Sequence, residues 1–534
     1  MILRLVAFTG LLLLHTATAT TASRNVVFVK QNSQGITALL SELQERSDPS
    51  SQHFLNWLNK DDVDTLLQPS PDHLRSILDV AEKHGAHTIN RLGGAKLEVL
   101  FHHTPQAFIN EANQLPGVDF VASDSSSNQR FDVTLASVKR SFPRFHRNAT
   151  ATVATTSTNN ADPQACLGAM LGVTPTCLRA AYGLDNSTAT TTTTATTATT
   201  TTTGGQAFVV NQAFASSDLS RFQQEFNLPS NPIKTIVGPN SGKAGDEASL
   251  DSQYITTTGQ NIDTTFVYID GSMDNPFTDW LVWAGNTTDA ELPKVHSLSV
   301  GAAESEVSDT IIARMNTEMA ALGVRGVTIV FASGDGGYSP VLKYGASSPY
   351  VLSVGGIFNG ELRNSPLQAD SLTTGGFSSS ALNKAQPWQA AAIASYTKNR
   401  KPSSLPKTIP VGRRAVPDVS AYDDDLSIVQ NGQDSGISGT SAACPIVAGM
   451  LAKINEALVQ AGHDTSLGFV NPFVYANEAL FLDITKGDNR GVFAVPGYDP
   501  ISGVGTFSVN TFEGLKEAAI KALERVAVLK KREI

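Results

Sequence analysis

A chain of 534 residues is too long for one ordinary domain, and 41% hydrophobic residues are enough for a sizeable core. A formal net charge of −10 argues against nucleic acid as a partner and comes closer to neutral at low pH, which suits an acidic compartment. Three cysteines cannot build a disulfide framework.

Residues 1–22 have the form of a secretory signal: Arg4, an apolar run through Leu14, then small residues with a cleavage site at Ala17-Thr18-Ala19. That run is too short to span a bilayer, and no later segment reads as long enough. Residues 23–147 alternate short strands and helices. Asn25 to Val29 and Leu97 to Phe101 read as strands. Pro71 to Ala81 has helical spacing with Pro71 in its first turn, and Thr104-Pro105 opens another helix. Seven histidines fall here (His53, His73, His84, His87, His102, His103 and His146), a set whose protonation could loosen an interface.

Residues 148–165 are polar, rich in Thr and Ala and without periodicity, an exposed linker that proteases can reach. Cys166 and Cys177 are close enough in sequence to pair in an oxidising compartment, which would leave Cys444 as a buried thiol. Residues 187–203 are almost pure Thr and Ala and cannot bury much apolar surface, so they read as a disordered surface insertion. Asn148, Asn186 and Asn286 stand in glycosylation sequons.

Beyond the insertion, strands and helices alternate: Asp218 to Phe222 starts a helix, Thr265 to Ile269 is a strand, and Ser308 to Met315 is a helix. Such alternation implies a mostly parallel sheet with helices on both faces. In Gly245 to Tyr254, Glu247 and Asp251 stand at i and i+4, on one helix face. Thr328 to Gly337 reads as a buried strand running into a Gly-rich turn, with Asp335 just past the strand end. Gly436 to Leu451 has small residues through Ser441, then an apolar run. Pro445 suits a first helical turn and puts Ser441 at a helix N-terminus, where free amides favour developing negative charge. Alone, each feature has a plainer reading: a solvated helix face, a turn aspartate, an N-cap serine.

The histidines narrow the chemistry. After Cys166 only His296 and His463 remain, and neither lies in a Gly-rich His motif. A Ser-His-Asp triad has no evident imidazole, so a nucleophile at Ser441 would take a carboxylate base, with Glu247 and Asp251 the best pair. Nearer the C-terminus, Asp483 and Asp499 each stand among apolar or small residues. After Phe512 the chain ends in an amphipathic helix with a basic tip.

Together these residues resemble the sedolisin family of serine-carboxyl peptidases, most closely its lysosomal tripeptidyl-peptidase branch. The resemblance rests on Glu247-x-x-x-Asp251, Ser333-Gly334-Asp335 and Gly439-Thr440-Ser441, in that order. Further matches are Val295 to Gly301 with Glu304, Ser348-Pro349-Tyr350-Val351, Gly375 to Ser378, Pro387-Trp388-Gln389 and Pro417 to Ser420. The resemblance implies a subtilisin-like α/β fold over residues 166–534, preceded by a small α+β prodomain over 23–147 that blocks the active site. It implies Ser441 as nucleophile, Glu247 as base, Asp251 sharing the proton of Glu247, and Asp335 as a protonated oxyanion donor. It also implies one structural calcium ion, held by side chains of Asp483 and Asp499 and carbonyls of Ile484, Val495 and Gly497. Valine is unusual where the family often has glycine.

The expected function is acid-active hydrolysis of peptide and protein substrates, with tripeptides released from free N-termini, in a secreted or lysosomal protein without a membrane span. An acid endopeptidase and an inactive calcium-stabilised surface protein are the alternatives.

Overall fold

The computed structural model describes residues 23–124, 134–135, 138–140, 173–184, 205–269, 277–358 and 366–532. The expected signal, the linker, Cys166, the Thr-rich insertion and the sequons at Asn148 and Asn186 lie outside them.

Residues 23–124 fold as an antiparallel four-stranded sheet covered by helices. Its strands are β1 (Ser23–Val29), β2 (Thr88–Leu92), β3 (Lys96–Phe101) and β4 (Val118–Ser123), in the order β2-β3-β1-β4. The two expected strands sit inside β1 and β3. The helix read from the sequence runs Pro71–Lys83, where the Ser70 hydroxyl accepts from the Asp72 amide and Pro71 occupies the first turn. Helix Gln106–Ala112 starts later than expected, because Pro105 is its N-cap.

Side chains of β1 alternate between the sheet's two faces. Val27 and Val29 join Ile77, Val80 and Phe108 in the core of this unit. Val26 and Phe28 point the other way, into a cluster shared with the rest of the chain.

That remainder is built on a mostly parallel sheet. Its strands are β5 (Gln206–Val210), β6 (Ile233–Val237), β7 (Thr264–Tyr268), β8 (Val295–Leu298), β9 (Thr328–Ala332), β10 (Leu352–Phe358), β11 (Gln368–Ala369) and β12 (Val419–Tyr422). Parallel pairing runs β12-β10-β9-β8-β5-β7-β6, and β11 lies antiparallel on the end of β10. Most of these strands are buried on both faces, as helices on either side require. On one face Phe208, Val210 and Val330 pack with helices α1 (Asp246–Thr258) and α3 (Thr440–Gln460). On the other, Ala207, Val209 and Ile329 pack with helix Thr278–Asn286 and helix α2 (Asp309–Val324). Helix α3 is apolar and long enough to cross a bilayer, a match the sequence reading missed, but here it is the buried central helix of the core.

The N-terminal unit docks on α2 through buried charge. Arg314 donates to the carbonyls of Val29 (2.6 Å), Gly94 (2.6 Å) and Ala95 (3.1 Å) and to the Asp119 carboxylate (2.8 Å). It also bonds Glu318 at 2.9 Å, and Glu318 receives Lys96 at 2.6 Å, both members almost fully buried. Arg24 reaches Asp279 at 2.6 Å, the Trp57 indole donates to the Ser466 carbonyl at 2.8 Å, and the Gly93 amide donates to Asn286 Oδ1 at 2.7 Å. Asn286, an expected sequon, is thus engaged at the interface. Of the seven histidines, His146 lies outside the described residues, while His84 pairs with Glu111, His53 with Glu45, and the His87 ring lies against that of His102. The partners of these four are within the unit itself, and the interface contacts named above are made by arginine, lysine, tryptophan, backbone and carboxylate groups.

Candidate active site

Helix α1 carries the acid pair. Gln212 Oε1 accepts the amides of Glu247 and Ala248 and so caps the helix start. Both Glu247 and Asp251 are fully buried, which removes the solvated-face reading of their spacing. Helices α1 and α3 touch backbone to backbone. The Thr258 hydroxyl donates to the Ile446 carbonyl at 2.9 Å, and a Cβ on Gly449 would lie 2.2 Å from Thr258 Oγ1. Only glycine at 449 allows the approach.

Ser441 stands in the first turn of α3, after Gly439 at φ +136°. The helix begins at Thr440, so Pro445 falls in its second turn, not the first as the sequence suggested. The displacement has a consequence. Pro445 lacks the amide that would bond the Ser441 carbonyl four residues back. Instead the Ser299 hydroxyl lies 3.4 Å from that carbonyl, and it bonds Asp251 Oδ1 at 3.0 Å. Ser299 therefore links the acid pair to the serine turn. Asp251 Oδ2 has no hydrogen-bond partner among the described residues. Burial pushes the Asp251 carboxyl well above its ordinary range, the charge of Glu247 adds to this, and the Ser299 bond opposes it.

Asp335 follows β9 in a turn that includes Gly334 at φ +105°. Its Oδ1 accepts the Thr440 amide and the Thr440 hydroxyl, each at 2.8 Å. Its Oδ2 is buried without a donor among the described residues. Burial lifts the Asp335 carboxyl to about 7; the two Thr440 bonds oppose this, Asp370 adds to it, and Lys343 opposes it weakly. The structure thus brings Glu247, Asp251, Asp335 and Ser441 to one place, at the N-terminus of α3.

Among the described residues, imidazole is not part of the arrangement. His296 is buried on β8, where Nδ1 accepts the Trp280 indole N–H at 3.0 Å and burial drives the ring down to about 3, leaving it neutral and occupied. His463 follows the far end of α3, about 30 Å from Ser441 at 1.5 Å per helical residue. The free thiol of Cys444 is buried and pushed up to about 12, mainly by desolvation, so it is a poor nucleophile. Cys177 is disulfide-bonded.

Sequence reasoning missed Ser299 and Thr440. A signal for Ser299 was present: Ser297 and Ser299 alternate to the same face, and Ser297 meets Cys444 Sγ at 3.3 Å. Other matched motifs serve structure. Glu304 is buried and accepts from Ser378, Ser379 and Asn383. Asp418 is buried against Arg414 and also accepts from Ser353, Asn471 and Tyr475.

Two short strands of the N-terminal tail border the site. Thr134–Leu135 pairs antiparallel with Val300 and Gly301, next to Ser299. Val138–Arg140 pairs antiparallel with Gly436, Ile437 and Ser438, just before the serine turn. Addition of an extended chain to strand edges is how peptides are commonly gripped.

The calcium candidates lie together in one loop. Asp483 Oδ2 accepts the Gly497 amide and Asp499 Oδ2 the Val495 amide, each at 2.9 Å. Asp499 Oδ1 accepts from Ile501 and Ser502. Asp499 is fully buried, and no lysine or arginine pairs with it among the described residues. A buried carboxylate without a basic partner needs a proton or a cation, and the candidate donors are all oxygens, as a hard cation prefers. The residues fit such an ion. Val495 has negative φ, unlike Gly497 at +79°, so a valine is accommodated there.

Comparisons place this geometry among known proteins. The subtilase family model matches residues 79–467. Tripeptidyl-peptidase 1 of Canis lupus familiaris is 30% identical, with 91% of this chain and 90% of that one covered. The same-named protein of Mus musculus is 31% identical over 88% and 87%. Among solved structures, Pseudomonas sedolisin, a serine-carboxyl proteinase, shares the fold with a TM-score of 0.50 at 22% identity, over 66% of this chain and 98% of that one.

Proposed function

The chain belongs to the subtilase family as a serine-carboxyl peptidase, and on that premise we propose that it hydrolyses peptide bonds in acid and releases tripeptides from free N-termini. The observation that carries the acid chemistry is the set of buried carboxyls around Ser441, with no imidazole in reach among the described residues.

In this reading Ser441 Oγ attacks the scissile carbonyl while Glu247 takes its proton, and Asp251 shares that proton, so the two acids titrate as a pair. The tetrahedral oxyanion accepts hydrogen bonds from the Ser441 amide and from protonated Asp335 Oδ2. Collapse expels the amine, which takes its proton from the Glu247–Asp251 pair. Water then attacks the acyl-enzyme by the same route and regenerates Ser441. A carboxylic acid donates only while neutral, so turnover belongs to acidic solution.

Residues 23–147 act as an inhibitory prodomain. Support comes from the buried contacts on α2 and from the tail strands beside Ser299 and Ser438. A calcium ion bound by Asp483, Asp499 and carbonyls of Ile484, Val495 and Gly497 would supply the charge that balances buried Asp499 and would brace the loop. The protein travels the secretory route and is secreted or lysosomal.

Tripeptide release is favoured over endopeptidase action by the tripeptidyl-peptidase relatives, which match along nearly their whole length. The test is one assay in acid, with a free-amine peptide and its N-blocked form, using wild type and Ser441→Ala. Tripeptides from the free-amine peptide alone, lost in the variant, support the proposal. Internal cuts in the blocked peptide mean an endopeptidase. Equal turnover by Ser441→Ala overturns the mechanism.

A further inference from the structure

The serine turn is tied to the acid helix on both of its sides. Beyond Ser441, α3 is held to α1 by the Thr258 hydroxyl on the Ile446 carbonyl and by the close approach at Gly449. Ahead of Ser441 the chain comes from a hairpin of strands Leu426–Gln430 and Gln433–Ser438, paired antiparallel from Leu426 opposite Ile437 to Gln430 opposite Gln433. The hairpin is closed at its base, where the Ser438 hydroxyl donates to Asp424 at 2.8 Å and accepts the Asp425 amide at 3.0 Å. Ser441 stands three residues further on, so the serine follows the hairpin.

Helix α1 grips this hairpin with its side chains. Gln253, fully buried, donates through Nε2 to the Val429 carbonyl at 2.6 Å and accepts the Val429 amide on Oε1 at 3.0 Å. One side-chain amide thus fills both bonding groups of a backbone residue, as a neighbouring strand would. The adjacent Tyr254 hydroxyl donates to the Ser427 carbonyl at 2.9 Å, two residues away along the same strand edge. Asp218 holds the far turn, accepting the amides of Asn431 and Gly432 at 2.6 and 2.9 Å. Helix α1 is the element that carries both a grip on the hairpin and the acids Glu247 and Asp251.

We propose that Gln253 is a positioning residue for the peptidase reaction: it locks the hairpin to α1 and so holds Ser441 against the Glu247–Asp251 pair. A helix pinned only at Ile446 and Gly449 tilts about that contact. Its first turn moves most, since Ser441 is about 7.5 Å from Ile446 at 1.5 Å per residue. The hairpin tie removes this freedom. Proton transfer from a hydroxyl needs its partners within about 2.6–3.2 Å, so a shift of about 1 Å at Ser441 is costly although Gln253 touches no substrate. In the full chain the outer strand is also held by Val138–Arg140. When those residues are cut away as proposed, the grip from α1 remains. The proposal rests on the reading of Ser441, Glu247 and Asp251 given above.

The test uses the processed enzyme in acid with three substitutions. Gln253→Ala removes the side chain, and Gln253→Met keeps its length without either hydrogen bond. Gln253→Glu, when protonated, keeps an acceptor and a donor in the same places. The alanine and methionine variants should lose kcat about tenfold or more, with KM within about twofold. They should lose a similar factor in the rate at which a fluorophosphonate labels Ser441, a reaction that forms the Oγ–P bond, expels fluoride and needs no peptide in the cleft. Gln253→Glu should restore both rates to within a few-fold of wild type. Rescue by methionine would mean that residue 253 only fills space, and it overturns the proposal. So does a failure of glutamate to restore either rate, or a melting temperature that falls while kcat and labelling stay at wild type. Where the alanine and methionine variants fail to fold, Tyr254→Phe removes only the bond to Ser427 and should lower kcat and labelling together; no loss there overturns the proposal. Turnover that survives Ser441→Ala would instead reject the underlying reading of the site.

Discussion

One oxygen of Asp335 receives both the amide and the hydroxyl of Thr440, while its other oxygen, also buried, receives nothing among the described residues. The carboxyl is therefore fixed by one oxygen and keeps the other for a reacting group. Because burial lifts it to about 7, kcat should fall as pH rises through that value. Asp335→Ala should lower kcat about 100- to 1000-fold with little change in KM. Steady-state kinetics across pH checks both.

Ser299→Ala removes the hydroxyl shared between Asp251 and the Ser441 carbonyl. Loss of a hydrogen bond to an acid costs roughly 1.5–3 kcal/mol, so kcat should fall about tenfold or more at unchanged KM. The Ser299 bond also opposes the upward push on Asp251, so the acid limb of the profile should move to higher pH in the variant.

Arg314→Ala deprives the N-terminal unit, the proposed prodomain, of its central anchor. Breaking a buried ion network typically costs about 3–5 kcal/mol. Self-processing of the full chain should start at higher pH and run at least about tenfold faster, as followed by electrophoresis. Ser441→Ala in the same background should abolish it.

The processed enzyme should melt at higher temperature in acid than at neutral pH. Asp251, Asp335 and Asp423 all hold protons more tightly folded than unfolded. Their stabilisation is complete below the unfolded carboxylate value and fades as pH rises through the folded one. For Asp335 that window runs from 3.8 to about 7. At about 1.4 kcal/mol per unit the loss is on the order of a few kcal/mol. Calorimetry of Ser441→Ala, which cannot digest itself, reads the slope; a melting temperature that rises with pH across the window would contradict it.

Chelation of calcium should lower the melting temperature by several degrees. Ligand at about 100 times its Kd adds about 2.7 kcal/mol. In Asp483→Ala the chelator should make little difference. Differential scanning fluorimetry with and without added calcium is sufficient.

Much of this site was legible because its chemistry sits in short motifs. The Glu247–Asp251 spacing, the strand before Asp335 and the small residues around Ser441 each carry a local signature. The groups that join them do not. Ser299 reaches Asp251 and Ser441 only because the end of β8 lies against α3 where α3 packs on α1. Nothing in a linear pattern marks such meetings. Pro445 shows the opposite failure: its local preference is for a first turn, but α3 begins at Thr440 because Asp335 takes that residue's amide. Arg314 and Glu318 stand at i and i+4 on α2, a spacing common on solvated helix faces, and were not singled out; they are buried where the N-terminal sheet docks.

When the N-terminal unit leaves, Arg314 loses four acceptors at once and Glu318 loses Lys96. Water fills in around both, and Val26 and Phe28 are drawn out of their shared cluster. Return would mean drying two charges again. If residues 23–147 are cut away as proposed, maturation is a ratchet. The enzyme left behind would then have a working life set by how slowly it opens and not by an equilibrium it can re-enter.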